Sequence, residues 1–96
     1  MKASIALQVL PLSQGADRVV IIDQVIAYLQ AQSVTMVVTP FETVLEGEFD
    51  ELMRILKEAL EVAGRGAHNV FANVKINVGD ILSIDEKLEK YDETTD

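Results

Sequence analysis

From residue 70 to residue 78 apolar and polar positions alternate without a break. Val70, Ala72, Val74, Ile76 and Val78 fall on one side, and Phe71, Asn73, Lys75 and Asn77 on the other. This period of two predicts a strand with one face buried. Residues 3–10 carry the same pattern, with Ile5, Leu7 and Val9 set against Ser4, Ala6 and Gln8. Pro11 to Gly15 should stop that strand, because proline donates no ladder hydrogen bond and glycine permits a tight turn. Two more strands are predicted, a β-branched run at 34–39 closed by Pro40 and a second at 43–47. Between strands one and two, Val19, Ile22, Val25, Ile26 and Leu29 recur at helical spacing, with Ser13 or Asp17 placed to cap the helix and an end near Gln32. Between strands three and four a second helix starts near Phe49 or Asp50 and turns Leu52, Ile55, Leu56, Ala59 and Ala63 inward. Glu48, Asp50 and Glu51 in its first turn complement the helix dipole, and Gly64 and Gly66 end it. After Gly79-Asp80, Ser83 or Asp85 caps a short helix to about Lys90.

The order is strand, helix, strand, strand, helix, strand, and it predicts an α+β fold. This is the ferredoxin-like βαββαβ sandwich, a four-stranded antiparallel sheet with two helices on one face and a short C-terminal helix. At 96 residues the chain is expected to form a single domain, residues 1–96. Two helices cover only one face of such a sheet, so Ser4, Ala6, Gln8, Phe71, Asn73, Lys75 and Asn77 should lie on the open face. That mixture suits a partner subunit better than bulk water.

Composition supports self-association. Hydrophobic residues make up 49% of the chain with only five aromatics among them, more apolar surface than one small core needs, and a homodimer or homotetramer is expected. Sixteen acidic residues against eight basic ones give a net charge of −8, which disfavours nucleic acid and anionic membrane and favours a small cationic ligand. The absence of cysteine removes disulfides, thiolate metal sites and thiol catalysis. No apolar run approaches the length of a membrane span and no basic segment with a long apolar core opens the chain, so a cytoplasmic location is expected.

No catalytic constellation emerges. His68 is the only histidine and stands beside helix-ending glycines, which points to a loop position rather than a metal ligand or triad member. Glu42 and Glu46 share a side of strand three, but Gly47 interrupts the ladder before Glu48, and an acid–base pair needs closer, desolvated placement. Neither Gln14-Gly15 nor Gly64-Arg65-Gly66 has the spacing of a phosphate loop or dinucleotide fingerprint. Acylphosphatases share the topology but place an arginine loop after strand one, and residues 11–16 contain no arginine.

Three segments carry a family resemblance. They are Val9-Leu10-Pro11-Leu12-Ser13-Gln14-Gly15, the central Pro40-Phe41-Glu42-Thr43-Val44-Leu45-Glu46-Gly47-Glu48, and Lys75-Ile76-Asn77 followed by Leu82-Ser83-Ile84-Asp85-Glu86-Lys87. Together they resemble the small thiamine-binding proteins of the MTH1187/YkoF-like family. The most specific piece is the Thr-x-x-Glu-Gly-Glu pattern from Thr43 to Glu48. The resemblance implies a non-enzymatic oligomeric subunit, without a cofactor, that binds thiamine or its hydroxymethylpyrimidine moiety in storage, delivery or salvage. Thr43 and Glu46 match the family pattern best. Relatives often carry an arginine or second acid after strand four, where this chain has Val78-Gly79-Asp80.

An aminopyrimidine needs a donor and acceptor pair and a flat apolar wall, and a thiazolium needs negative potential or an aromatic face. Thr43, Asn73, Gln8 and Glu46 are candidates for the first role, and Phe41, Phe71 and the acidic surface for the second. Two alternatives remain, an effector-binding module like the ACT domains and a purely structural oligomer. The chain lacks the glycine-rich turn after strand one typical of the ACT group and carries no attached enzyme domain.

Overall fold

The computed structural model describes residues 1–12, 15, 17–80 and 84–86. The two alternating runs become its longest strands, β1 (Lys2–Pro11) and β4 (Val70–Val78). Around them lie α1 (Arg18–Gln30), β2 (Thr35–Val38), β3 (Thr43–Glu48) and α2 (Phe49–Gly66). The sheet order is β2-β3-β1-β4 with every pair antiparallel, the ferredoxin-like arrangement. Register sets the faces. Ile5 lies opposite both Leu45 and Ile76, and Leu7 opposite both Thr43 and Val74, so the apolar sets of three strands share the helix side. Ala3, Ile5, Leu7 and Leu45 are buried there. On the edge strand β4, however, the expected buried face is only half covered, with Val70, Ala72 and Val74 half-buried and Ile76 and Val78 exposed.

Both helices close this core, but their patterns differ in clarity. In α2 the buried residues Leu52, Ile55, Ala59 and Ala63 are the predicted stripe, with Leu56 half-buried at its border. In α1 the buried set is Ile21, Val25 and Leu29, whereas Val19, expected inward, is 69% exposed. The apolar run Val19-Val20-Ile21-Ile22 spans a whole turn, so periodicity alone does not select the inward residue. Asp17 caps α1 by accepting a hydrogen bond from the Val20 amide at 3.2 Å, while the alternative cap, Ser13, lies outside the described residues.

Pro11 does not stop β1 but forms its last residue, opposite Val70. The β1–β3 ladder ends at Leu7 and Thr43, so at Pro11 the strand has only β4 beside it. On that free side a missing N–H costs no ladder bond. After β4, a helical turn at residues 84–86 occupies part of the predicted C-terminal helix, and Ile84 in it is buried. Residues 81–83 and the predicted continuation to Lys90 lie outside the described residues. No helix among the described residues is long and apolar enough to cross a membrane.

Candidate functional site

A cavity of about 200 Å³ opens between α1 and the ends of β1 and β3. Leu7 and Val9 of β1 and Ile22, Val25, Ile26 and Leu29 of α1 make its walls apolar. Thr43, the first residue of β3, is the buried polar residue of the core and belongs to the same lining. Its hydroxyl forms no hydrogen bond with the described residues, and none of their fully buried side-chain polar atoms is without a partner. The Thr43 oxygen is therefore open to the cavity, a polar group set beside the apolar side chains of β1 and α1.

The mouth is shaped by the hairpin turn between β2 and β3. Thr39 locks this turn. Its hydroxyl donates to the Glu42 carbonyl at 2.7 Å and accepts from the amides of Glu42 at 3.0 Å and Phe41 at 3.3 Å, while its own amide donates to the Glu42 carbonyl at 3.0 Å. One donor and two acceptor positions are all that a hydroxyl has. Pro40 and Phe41 form the tip, and the Phe41 ring borders the cavity while remaining 81% exposed. Thr39 was absent from the sequence-based candidates. The signal was present: a threonine directly ahead of proline, four residues before the strand resumes, is a side-chain-stabilised turn.

The six predicted site residues divide between the two sides of the sheet. Thr43 and Phe41 come together at the cavity. Gln8 also borders it, but its side chain lies on the open face, where its Oε1 accepts from Asn73 Nδ2 at 3.1 Å. Phe71, half exposed, is on that face too, opposite Leu10 across the ladder. Glu46 lies there as well, one position off the side to which Thr43 belongs, and its carboxylate accepts from the Ile84 amide at 2.6 Å. Thr43 and Glu46 therefore do not converge on one space, because residues three apart on a strand point to opposite faces. Beside Asn73, Lys75 pairs with Glu42 at 3.5 Å across β1, so much of the open face's polarity is satisfied internally.

Acidity gathers at the opposite end of β3. A shallower recess of about 310 Å³ is bordered by Lys2, Glu46, Glu48 and Glu51, and Glu48 holds the Met1 amine at 3.0 Å. Among the described residues no three side chains of His, Cys, Asp or Glu converge as metal ligands. The perturbed titrations lie elsewhere. Tyr28 of α1 hydrogen-bonds Glu58 of α2, which also receives Arg54 at 2.9 Å. Partial burial, then the hydrogen bond to Glu58, pushes the Tyr28 phenol up to about 12, and the same hydrogen bond holds the Glu58 carboxyl below its usual range. This pair ties the helices together.

A sequence model of the family described as thiamine-binding protein matches residues 5–92. A UPF0045 protein of Clostridium perfringens is 35% identical over 91 residues, which cover 92% of this chain and 95% of that protein. A crystal structure of a Streptococcus pneumoniae protein is 88% identical and superposes with a TM-score of 0.83 over 93% of this chain and 99% of its own. A candidate thiamine biosynthesis/salvage protein from Thermotoga maritima, 26% identical, gives a TM-score of 0.84 over 95% of this chain and 99% of its own.

Proposed function

The chain belongs to the thiamine-binding protein family, and from that premise we propose that it is a non-enzymatic binder of thiamine or its hydroxymethylpyrimidine moiety, with the pyrimidine seated between α1 and the sheet. One observation supports the placement: the Thr43 hydroxyl, without a hydrogen-bond partner among the described residues, stands in a cavity whose walls are mostly apolar. A pyrimidine ring offers flat apolar faces to Leu7, Val9, Val25 and Leu29, and its amino group or ring nitrogen meets the hydroxyl. Ligand sites are commonly apolar with a few placed polar groups, which is this composition. The volume, about 200 Å³, lies below the roughly 300–1,000 Å³ of drug-sized sites. It suits one ring.

The protein holds this ligand without transforming it. The family's description as a binding protein supports this, and the glutamate that borders the cavity, Glu42, is engaged by Lys75 on the other face. The Thermotoga maritima relative, a candidate thiamine biosynthesis/salvage protein, supports a part in storage, delivery or salvage, which we assign to the cytoplasm. The surplus of exposed apolar side chains, with Phe71, Ile76 and Val19 all at least half exposed, supports a homodimer or homotetramer.

A thermal-shift screen of thiamine, its phosphates, hydroxymethylpyrimidine and the common amino acids tests the reading. At a hundredfold excess over Kd a specific ligand adds about 2.7 kcal/mol, roughly 10–20 °C in Tm for a domain of this size. Thiamine or the pyrimidine should give that shift. Stabilisation by an amino acid alone would instead favour an ACT-like effector module, and no response to any compound a structural oligomer.

A further inference from the structure

A cavity for one ring leaves the second ring of thiamine outside it. Thiamine joins its aminopyrimidine to a positively charged thiazolium through a single methylene, so a pyrimidine at Thr43 holds the thiazolium within one ring's reach of the mouth. The feature at that mouth is Phe41. Its side chain is 81% exposed, the largest exposure among the described large hydrophobic residues. Exposure of this degree on a mobile loop would mean little, but here the backbone is fixed. The Phe41 amide donates to Thr39 Oγ1, and hydrogen bonds from the Thr39 hydroxyl, the Thr39 amide and the Glu42 amide close the turn on either side. A rigid turn thus presents an aromatic face to solvent beside an apolar pocket. A cation over such a face is attracted to the ring quadrupole, and the chain's net charge of −8 favours a cationic ligand over an anionic one.

We propose that Phe41 is a specificity-determining residue that stacks on the thiazolium ring of thiamine while the pyrimidine occupies the cavity, so that it distinguishes thiamine from the free pyrimidine. This rests on the binding function proposed above, and it divides the ligand between two places with different chemistry. The inner place selects the neutral pyrimidine by shape and one hydrogen bond. The outer place selects a flat cation.

The test is calorimetry on the full chain with three probes: thiamine, free hydroxymethylpyrimidine, and deazathiamine, in which a neutral thiophene replaces the thiazolium. Wild type, Phe41→Leu and Phe41→Trp are compared, with Tm and solution mass measured for each. Phe41→Leu should weaken thiamine about three- to thirtyfold, the range of a cation–π contact from exposed to desolvated. It should leave the free pyrimidine within twofold and cost deazathiamine less than it costs thiamine. Phe41→Trp should retain or improve thiamine affinity, tryptophan being the best cation–π partner. If Phe41→Leu weakens thiamine and the free pyrimidine equally, or neither, Phe41 is not a thiazolium residue although the binding function stands. A fall in solution mass in Phe41→Leu with thiamine affinity unchanged assigns the ring to a subunit interface and overturns the proposal. If wild type binds none of the three probes, the binding function itself fails and this inference with it.

Discussion

Replacing Thr43 by valine separates folding from binding because the two should move in opposite directions. Valine keeps the β-branch and volume of threonine, so Leu7 opposite it across the ladder retains its neighbour. What is lost is a hydroxyl that is largely buried and has no hydrogen-bond partner among the described residues. Burying an uncompensated hydroxyl costs about 1–3 kcal/mol, and Thr43 incurs part of this because its oxygen still reaches the cavity. Thr43→Val should therefore be neutral or stabilising by up to about 1 kcal/mol, a rise of 0 to roughly 8 °C in Tm for a domain of this length. Binding should weaken by about 1–3 kcal/mol, near 5- to 150-fold in Kd, since the ligand's polar group then meets a methyl in a dry pocket. Thr43→Ser is the converse control, keeping the hydroxyl and losing a methyl at a cost of about 1 kcal/mol in stability with affinity held within a few-fold. Chemical denaturation and calorimetry with thiamine and hydroxymethylpyrimidine supply both readings. A loss of more than 1 kcal/mol of stability in Thr43→Val would show that the hydroxyl serves the fold. Unchanged affinity with an intact fold would move the site to the open face, towards Gln8 and Asn73.

Glu46→Ala removes the acceptor of the Ile84 amide, so exchange of that amide should quicken and stability fall by about 0.5–2 kcal/mol, as for loss of a helix cap, with thiamine affinity unchanged; lost binding would place the ligand on the open face. For the pair that joins the helices the pH dependence has a definite sign at each end. Glu58, with its folded pKa depressed, stabilises above the ordinary carboxylate range and loses this as pH falls through the lowered value; Tyr28, raised from 10.0 to about 12, stabilises below pH 10 and loses this as pH rises towards 12. Tyr28→Phe should thus melt below wild type at neutral pH, with the gap closing at both extremes, and a gap independent of pH would refute the coupling. Val74→Asp puts a charge against the core under the helices and should cost about 3 kcal/mol or more, whereas Asn73→Asp on the other face should cost under about 1 kcal/mol; equal losses in urea melts would mean that both faces are buried.

Strand positions and sheet faces were legible because a period of two is local. The alternation at 70–78 places Val74 and Asn73 on opposite faces before any pairing is known, and the register agrees. The inward face of α1 was less so. Four consecutive apolar residues leave the direction to tertiary packing, and Ile21 is selected by its neighbour: a Cβ on Gly66 would sit 2.8 Å from Ile21 Cγ1, so the bare end of α2 makes room for that side chain rather than for Val19. The cavity had no local signature at all, since it depends on how α1 sits over β1 and β3. Thr39 did have one, but a threonine before proline draws attention as the end of a strand and not as the lock of a turn.

The Thr-x-x-Glu-Gly-Glu segment contains a stronger lesson, because its spacing already excluded a shared ligand contact. Thr43 and Glu46 are separated by three positions on one strand, so if Thr43 faces the helices Glu46 must face away from them. The structure gives each member of the segment a separate task. Thr43 presents a hydroxyl to the cavity, and Glu46 anchors the turn at Ile84. Gly47 admits Val34, whose Cγ1 would lie 3.3 Å from a Cβ built there, and Glu48 holds the Met1 amine. Three of the four thus secure the chain around β3, and one is left for recognition. A motif that marks a binding family can therefore be mostly architectural. In this chain the architecture it serves is the seating of β3, the strand that carries Thr43 beneath α1 and begins at the turn presenting Phe41.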